Sequence, residues 1–119
     1  MTYHVRRSAD LVVRLGDGTE ESHRRMQDAI DDLWMFTGEL FESDAADAAL
    51  VAEGVAVDPA TLVEPWLRHV SEVLEEATLR LPAAGWSQTG GRQGRHTEHL
   101  GYLLAEMQFL QRAYPGAQW

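Results

Sequence analysis

Apolar residues recur along this chain at intervals of three and four, the spacing that gathers side chains on one face of an α-helix; no stretch alternates every second residue for long enough to make a strand. Val5, Ala9, Val12 and Val13 make the first series, with Arg6, Arg7, Asp10 and Arg14 mostly opposite, which predicts a helix over residues 3–15 ended by Gly16-Asp17-Gly18. A second series, Met26, Ile30, Leu33, Trp34, Thr37, Leu40 and Phe41, follows a start at Asp17 or Thr19, with Glu20 and Glu21 set against the positive end of the helix dipole. Read through to Glu42, that helix is roughly 36 Å long at 1.5 Å per residue. Ser43 is placed to cap a short helix over residues 44–53, stopped by Gly54. Asp58-Pro59 signals a further start, and Pro65 marks a break or a fresh start with the proline in the first turn.

From Trp66 the period is plain again: Trp66, Val70, Val73, Leu74, Ala77 and Leu81 share a stripe until Pro82 ends it. Residues 82–95 hold four of the ten glycines and no apolar period, so they read as a long loop. The last helix carries Leu100, Leu103, Leu104, Met107, Leu110 and Tyr114 on one side and stops at Tyr114-Pro115-Gly116, ahead of a Trp119 with little reason to face water. Phe109 projects from the opposite side, and a helix with two apolar faces in so short a chain calls for a partner subunit. The fold class is all-α: a single domain over residues 1–119 with about four to five helices.

Charge narrows the partners. A formal net charge of −9 and a pI near 4.8 set the chain against phosphate backbones and anionic membranes, so neither nucleic acid nor membrane is an expected partner. All ten basic residues are arginine, which reads as genome composition. With no cysteine there is no disulfide or thiolate metal site, and without a signal-like or long apolar segment the expected location is the cytoplasm.

Glu20-Glu21-Ser22-His23 contains Glu20-x-x-His23, a spacing that puts a carboxylate and an imidazole one helical turn apart, as in carboxylate-bridged di-iron bundles. A full site needs a second such pair and two more inward carboxylates. The nearest substitute, Glu98 with His99, consists of neighbours projecting about 100° apart on a helix of 3.6 residues per turn. Glu20 and His23 are therefore expected to be structural or vestigial: a helix-capping Glu20 and a buried, hydrogen-bonded His23. His96 and His99, flanking a Thr97 placed as a cap, are read as satisfying loop carbonyls or an interface. Gly90-Gly91-Arg92-Gln93-Gly94-Arg95 puts two guanidiniums on flexible backbone ahead of a helix; it reads first as a loop tied within the chain and second as an anion holder. The aromatic residues Trp34, Phe36, Phe41, Trp66, Trp86, Phe109 and Trp119 are read as core or interface. No Ser-His-Asp or Cys-His arrangement supports hydrolysis, and no catalytic residue is assigned.

LGDGTEESHRRMQ at residues 15–27, EATLRLP at 76–82, the segment 90–100 and the ending 115–119 together resemble the non-catalytic structural component, the C subunit, of bacterial phenylacetyl-CoA epoxidases, a ferritin-like family. The resemblance runs over nearly the whole chain, yet covers only the C-terminal half of family members about twice as long. It implies a partial ferritin-like helical bundle and a scaffolding role in an oxygenase that epoxidises the ring of phenylacetyl-CoA. It also implies a homologous catalytic subunit as partner, with the di-iron centre there and no cofactor here. Half a bundle leaves inner faces uncovered, so self-association is expected. The alternative is a small di-iron metalloenzyme whose site, built on Glu20 and His23, is completed by a second copy.

Overall fold

The computed structural model describes residues 1–118, and among them every regular element is helical. They fall into two compact units, Met1–Gln88 and Thr89–Trp119. In the first, α1 (Thr2–Gly16), α2 (Glu20–Leu33), α3 (Ala45–Ala52) and α4 (Val63–Glu76) follow in chain order; in the second come α5 (His99–Met107) and α6 (Phe109–Ala113). Trp119 lies outside the described residues, and with it the expectation about its side chain.

Within the first unit, α1 is the helix against which both α2 and α4 pack. A three-residue turn reverses the chain into α2, and the turn is built by its polar side chains: Thr19 Oγ1 accepts from the Ser22 amide while Ser22 Oγ accepts from the Thr19 amide. This reciprocal cap satisfies two amide groups that the first helical turn leaves without partners. Of the two starts read from the sequence, Thr19 is the one used.

The second helix stops well short of Glu42. The apolar period continues through Phe41, but after Leu33 the backbone tightens into two short 3-10 turns, Trp34–Phe36 and Gly38–Phe41. Thr37 Oγ1 donates to the Trp34 carbonyl at 2.8 Å, and Gly38 gives the helix its weakest position. The turns leave Trp34 and Phe41 both against Trp66, with ring centroids 5.6 and 5.3 Å away. A side-chain period does not by itself distinguish an α-helix from a chain that turns in three-residue steps.

Asp44, not Ser43, caps α3: its Oδ1 accepts from the Ala46 and Asp47 amides, while Ser43 donates to Asp58. Gly54 ends the helix in a left-handed conformation, as expected. Asp58 accepts from the Ala60 amide at the start of a 3-10 turn over Pro59–Leu62, and α4 then begins afresh with Pro65 in its first turn.

The end of α4 organises the core. Its stripe stops with the helix, so Leu81 is beyond it and 45% exposed. Ala77 closes the helix, Thr78 turns to φ 58°, the Thr78 amide donates to Glu75 at 3.0 Å and the Leu79 amide to Leu74 at 2.8 Å. This is a Schellman ending, in which the residue after the left-handed position folds back on the helix's last turns. Leu79 and Leu74 are accordingly buried together, with Ala77, in a cluster packed by Val12, Val13, Met26, Ile30 and Val70. Gly16 sits directly against it: a Cβ there would lie 2.5 Å from the Ala77 carbonyl and 2.8 Å from both Ala77 Cβ and Leu79 Cδ1.

The second unit opens with a 3-10 turn, Gly91–Gln93, bracketed by left-handed Gly90 and Gly94, and the Arg95 amide closes it on the Gly90 carbonyl at 2.9 Å. The final helix is not continuous. It breaks at Gln108 into α5 and α6, and its first cap position is Glu98, without a side-chain cap, in place of the expected Thr97. Arg112 donates twice to Gln108 Oε1 across the break. The apolar face is present, but only Leu100 and Leu104 are half-buried; Leu103, Met107, Leu110 and Tyr114 stay exposed, as does Phe109 on the other side.

Candidate functional site

Glu20 and His23 do stand one turn apart at the start of α2, and the structure gives each a partner environment of its own. Glu20 is exposed in the first turn, while the capping itself falls to Thr19 and Ser22. His23 is half-buried, and its Nδ1 lies 2.7 Å from the Gly16 carbonyl. That carbonyl belongs to the last residue of α1 and has no helical amide to accept from, so the imidazole N–H serves as its donor. Thr78 Oγ1 lies 3.4 Å from the same nitrogen. Among the described residues no three or more His, Asp or Glu side chains gather closely enough to hold a metal ion. The donor set around His23, a backbone carbonyl and a threonine hydroxyl, does not fit a carboxylate-bridged iron pair. His96, His99 and Glu98 belong to the second unit, at the entrance to α5.

Sequence reasoning passed over Gln27, the buried polar side chain of this end. Its Oε1 accepts from the Arg80 amide at 2.8 Å and its Nε2 donates to the Arg80 carbonyl at 3.2 Å and to Asp31 at 3.1 Å. The carboxamide thus takes the place of a neighbouring strand for one residue and holds the chain after α4 on α2. A glutamine next to Met26 on the helix carries no mark of a partner 53 positions away. The outer face of α2 is ionic: Glu21 receives Arg24 and Arg25, and Asp28 receives Arg24. The hydrogen bond from Arg24, then that from Arg25, then the charge of Arg24 hold the Glu21 carboxyl below its usual range, against a small opposing effect of desolvation.

The opposite end of the three helices is an open apolar groove of about 620 Å³. α1 contributes Val5, Ala9 and Val12, α2 contributes Met26, Ile30 and Leu33, with Trp34 just beyond it, and α4 contributes Trp66, Val70 and Val73; His4 and His69 also line it, from opposite helices. These are the inward positions of all three apolar series, yet Val5 is 48% and Leu33 62% exposed. The stripes were legible in the sequence, as was their lack of cover; the two groove histidines were not singled out. What this groove can do chemically is accept more apolar surface.

No helix among the described residues is long and apolar enough to cross a membrane. The family model described as phenylacetic acid catabolic protein matches residues 1–119. The C subunit of 1,2-phenylacetyl-CoA epoxidase from Escherichia coli (strain K12) is 53% identical over 117 residues, a match covering 98% of this chain and 47% of that protein. The chain therefore spans about half the length of the curated relative it matches.

Proposed function

Because this chain belongs to the phenylacetic acid catabolic protein family, we propose that it is a non-catalytic structural part of a multicomponent oxygenase that epoxidises the ring of phenylacetyl-CoA. The observation that carries the reading is the 53% identity to the C subunit of such an epoxidase, which extends over 98% of the chain and includes the elements of the closed helical end. Two features of the fold support a scaffold. His23 is engaged in holding a helix end while Glu20 stands exposed beside it, and the groove between the three helices is lined almost wholly by apolar side chains, with His4 and His69 but no carboxylate among its lining residues.

In this reading the di-iron chemistry resides in a catalytic partner subunit of the same oxygenase, in the cytoplasm, and this chain supplies helical surface to the assembly. The isolated chain covers its groove by self-association. Leaving groove side chains such as Leu33 and Val5 in water forgoes roughly 1.5 to 3 kcal/mol for each that could be fully buried, which is large beside the stability of a small domain. Neither the anion-holding nor the internally tied reading of residues 90–95 is needed for this role.

Affinity capture tests the scaffold: a tagged copy should retain the catalytic subunit from co-expressing cells, with iron entering the captured complex through that subunit. Failure of both this chain and a full-length relative to retain it would refute the assignment. Light scattering after size-exclusion chromatography tests self-association, and a stable monomer at low micromolar concentration would count against it.

A further inference from the structure

A further cavity, of about 400 Å³, shares Trp34, Thr37 and Trp66 with the groove and is otherwise lined mainly by the two 3-10 turns, the start of α4 and residues 82–87. Trp34, Trp66 and Phe41 form its aromatic walls, with Trp34 and Trp66 inclined at 37° and Phe41 edge-on to Trp66 at 63°. Trp86 lines it from the loop and is 70% exposed. That loop is held at both ends: Gln27 clasps Arg80, and the Gln88 amide donates to the Met35 carbonyl at 2.8 Å. It also runs close over Gly38, where a Cβ would come within 3.0 Å of Ser87 Oγ. A large aromatic side chain is thus presented to water at the edge of an aromatic cavity by a tethered segment.

We propose that this cavity is a binding site for a flat, neutral aromatic ring, with Trp86 as its outer wall. The volume falls within the range of small-molecule sites, and four aromatic side chains offer the offset-stacked and edge-to-face contacts that an added ring prefers. Charge sets the selectivity. The cavity's single ionisable lining residue is Asp31, a carboxylate already engaged by Gln27 and, at 3.5 Å, by Arg80. No lining residue is a cation, so a carboxylate carried on the ring loses its hydration there without gaining an ion-pair partner. The site is separate from the scaffold role proposed above and does not depend on it.

Indole-3-carboxamide and indole-3-carboxylate share one ring system and differ in charge, so titrating each against the full chain, followed by ligand-observed NMR, tests the proposal directly. The amide should bind saturably and at least about fivefold more tightly than the acid anion at neutral pH. Trp86→Ala should weaken the amide about two- to tenfold, the range of one aromatic pairing, and Trp86→Phe should restore most of the affinity. Leu33→Ala lines the groove and not this cavity, so it should leave the constant unchanged. The inference is overturned if the amide shows no saturable binding, if the anion binds as well, or if Leu33→Ala weakens binding while Trp86→Ala does not, which would put the ring in the groove.

Discussion

The two ends of the first unit are made from the same three helices and differ in how they are finished. At one, α1 and α4 finish side by side and α2 begins, and Gly16, Thr19, Gln27, Ala77 and Leu79 tie the three helices together. At the other, the same apolar stripes diverge around the groove. Leu79 is 7% exposed at the closed end, whereas Leu33, equally apolar, is 62% exposed in the groove. Amphipathic periodicity marks which face of a helix is inward; closing it takes short-range devices such as a small residue at a crossing, a cap, or a side chain that reaches a distant backbone. Those devices are concentrated at one end.

The widest measurable gap between the two ends is the cost of truncation. Leu79→Ala should destabilise the chain by about 3 kcal/mol, as for a buried leucine, in urea unfolding followed by circular dichroism. Leu33→Ala, measured at concentrations low enough for a monomer, should cost less than about 0.5 kcal/mol. Equal costs would abolish the distinction. If the Leu33→Ala cost grows as protein concentration rises, the groove is being covered by association.

Gly16→Ala probes the crossing itself. With the Ala77 carbonyl and Leu79 Cδ1 in the way of the new methyl, about 2 kcal/mol of overpacking should appear as a lower midpoint at unchanged slope. A neutral result would mean that the ends of α1 and α4 separate easily, and that the closed end is not rigid.

Thr78→Gly runs in the other direction. A β-branched residue at φ 58° carries strain that glycine does not, so the variant should gain about 1 kcal/mol in the same assay. A loss instead would show that the Thr78 hydroxyl beside His23 contributes more than the backbone strain costs.

The smallest effect belongs to the solvent face of α2. Glu21 has its carboxyl held below the usual range in the folded chain, so its contribution to stability is present above the unfolded carboxylate value of about 4.3 and is lost as pH falls through the lower folded value. Because the group is exposed, Glu21→Gln should remove only a slight acid limb from the pH dependence of stability, and added salt should shrink it further. A pronounced limb in the variant would assign acid sensitivity to other carboxylates.

Much of the fold was legible from spacing and punctuation. The bounds of α1, the Thr19 start, the Gly54 stop and the fresh start at Pro65 all follow from residues whose effects are local. What escaped depends on distant partners or on backbone that the side-chain period does not report. Trp34, Thr37 and Phe41 keep a helical interval while the chain runs in 3-10 turns, and the last helix breaks at Gln108 although its apolar spacing is unbroken. Thr78 gives no warning of a left-handed turn; only the leucines at 74 and 79, five apart, hint at the ending they share. For the candidate site, the Glu20 and His23 spacing was visible, but the carbonyl that His23 serves was not, because it lies on another helix.

Gln27 has a topological consequence as well. By gripping the backbone at residue 80, 53 positions along the chain, it ties off everything between, the aromatic turns, α3 and α4 among them, as a single pouch drawn shut at its mouth. A protease that cut the exposed links on either side of α3 would open the pouch without releasing either flap, and the two flaps would leave a sizing column together.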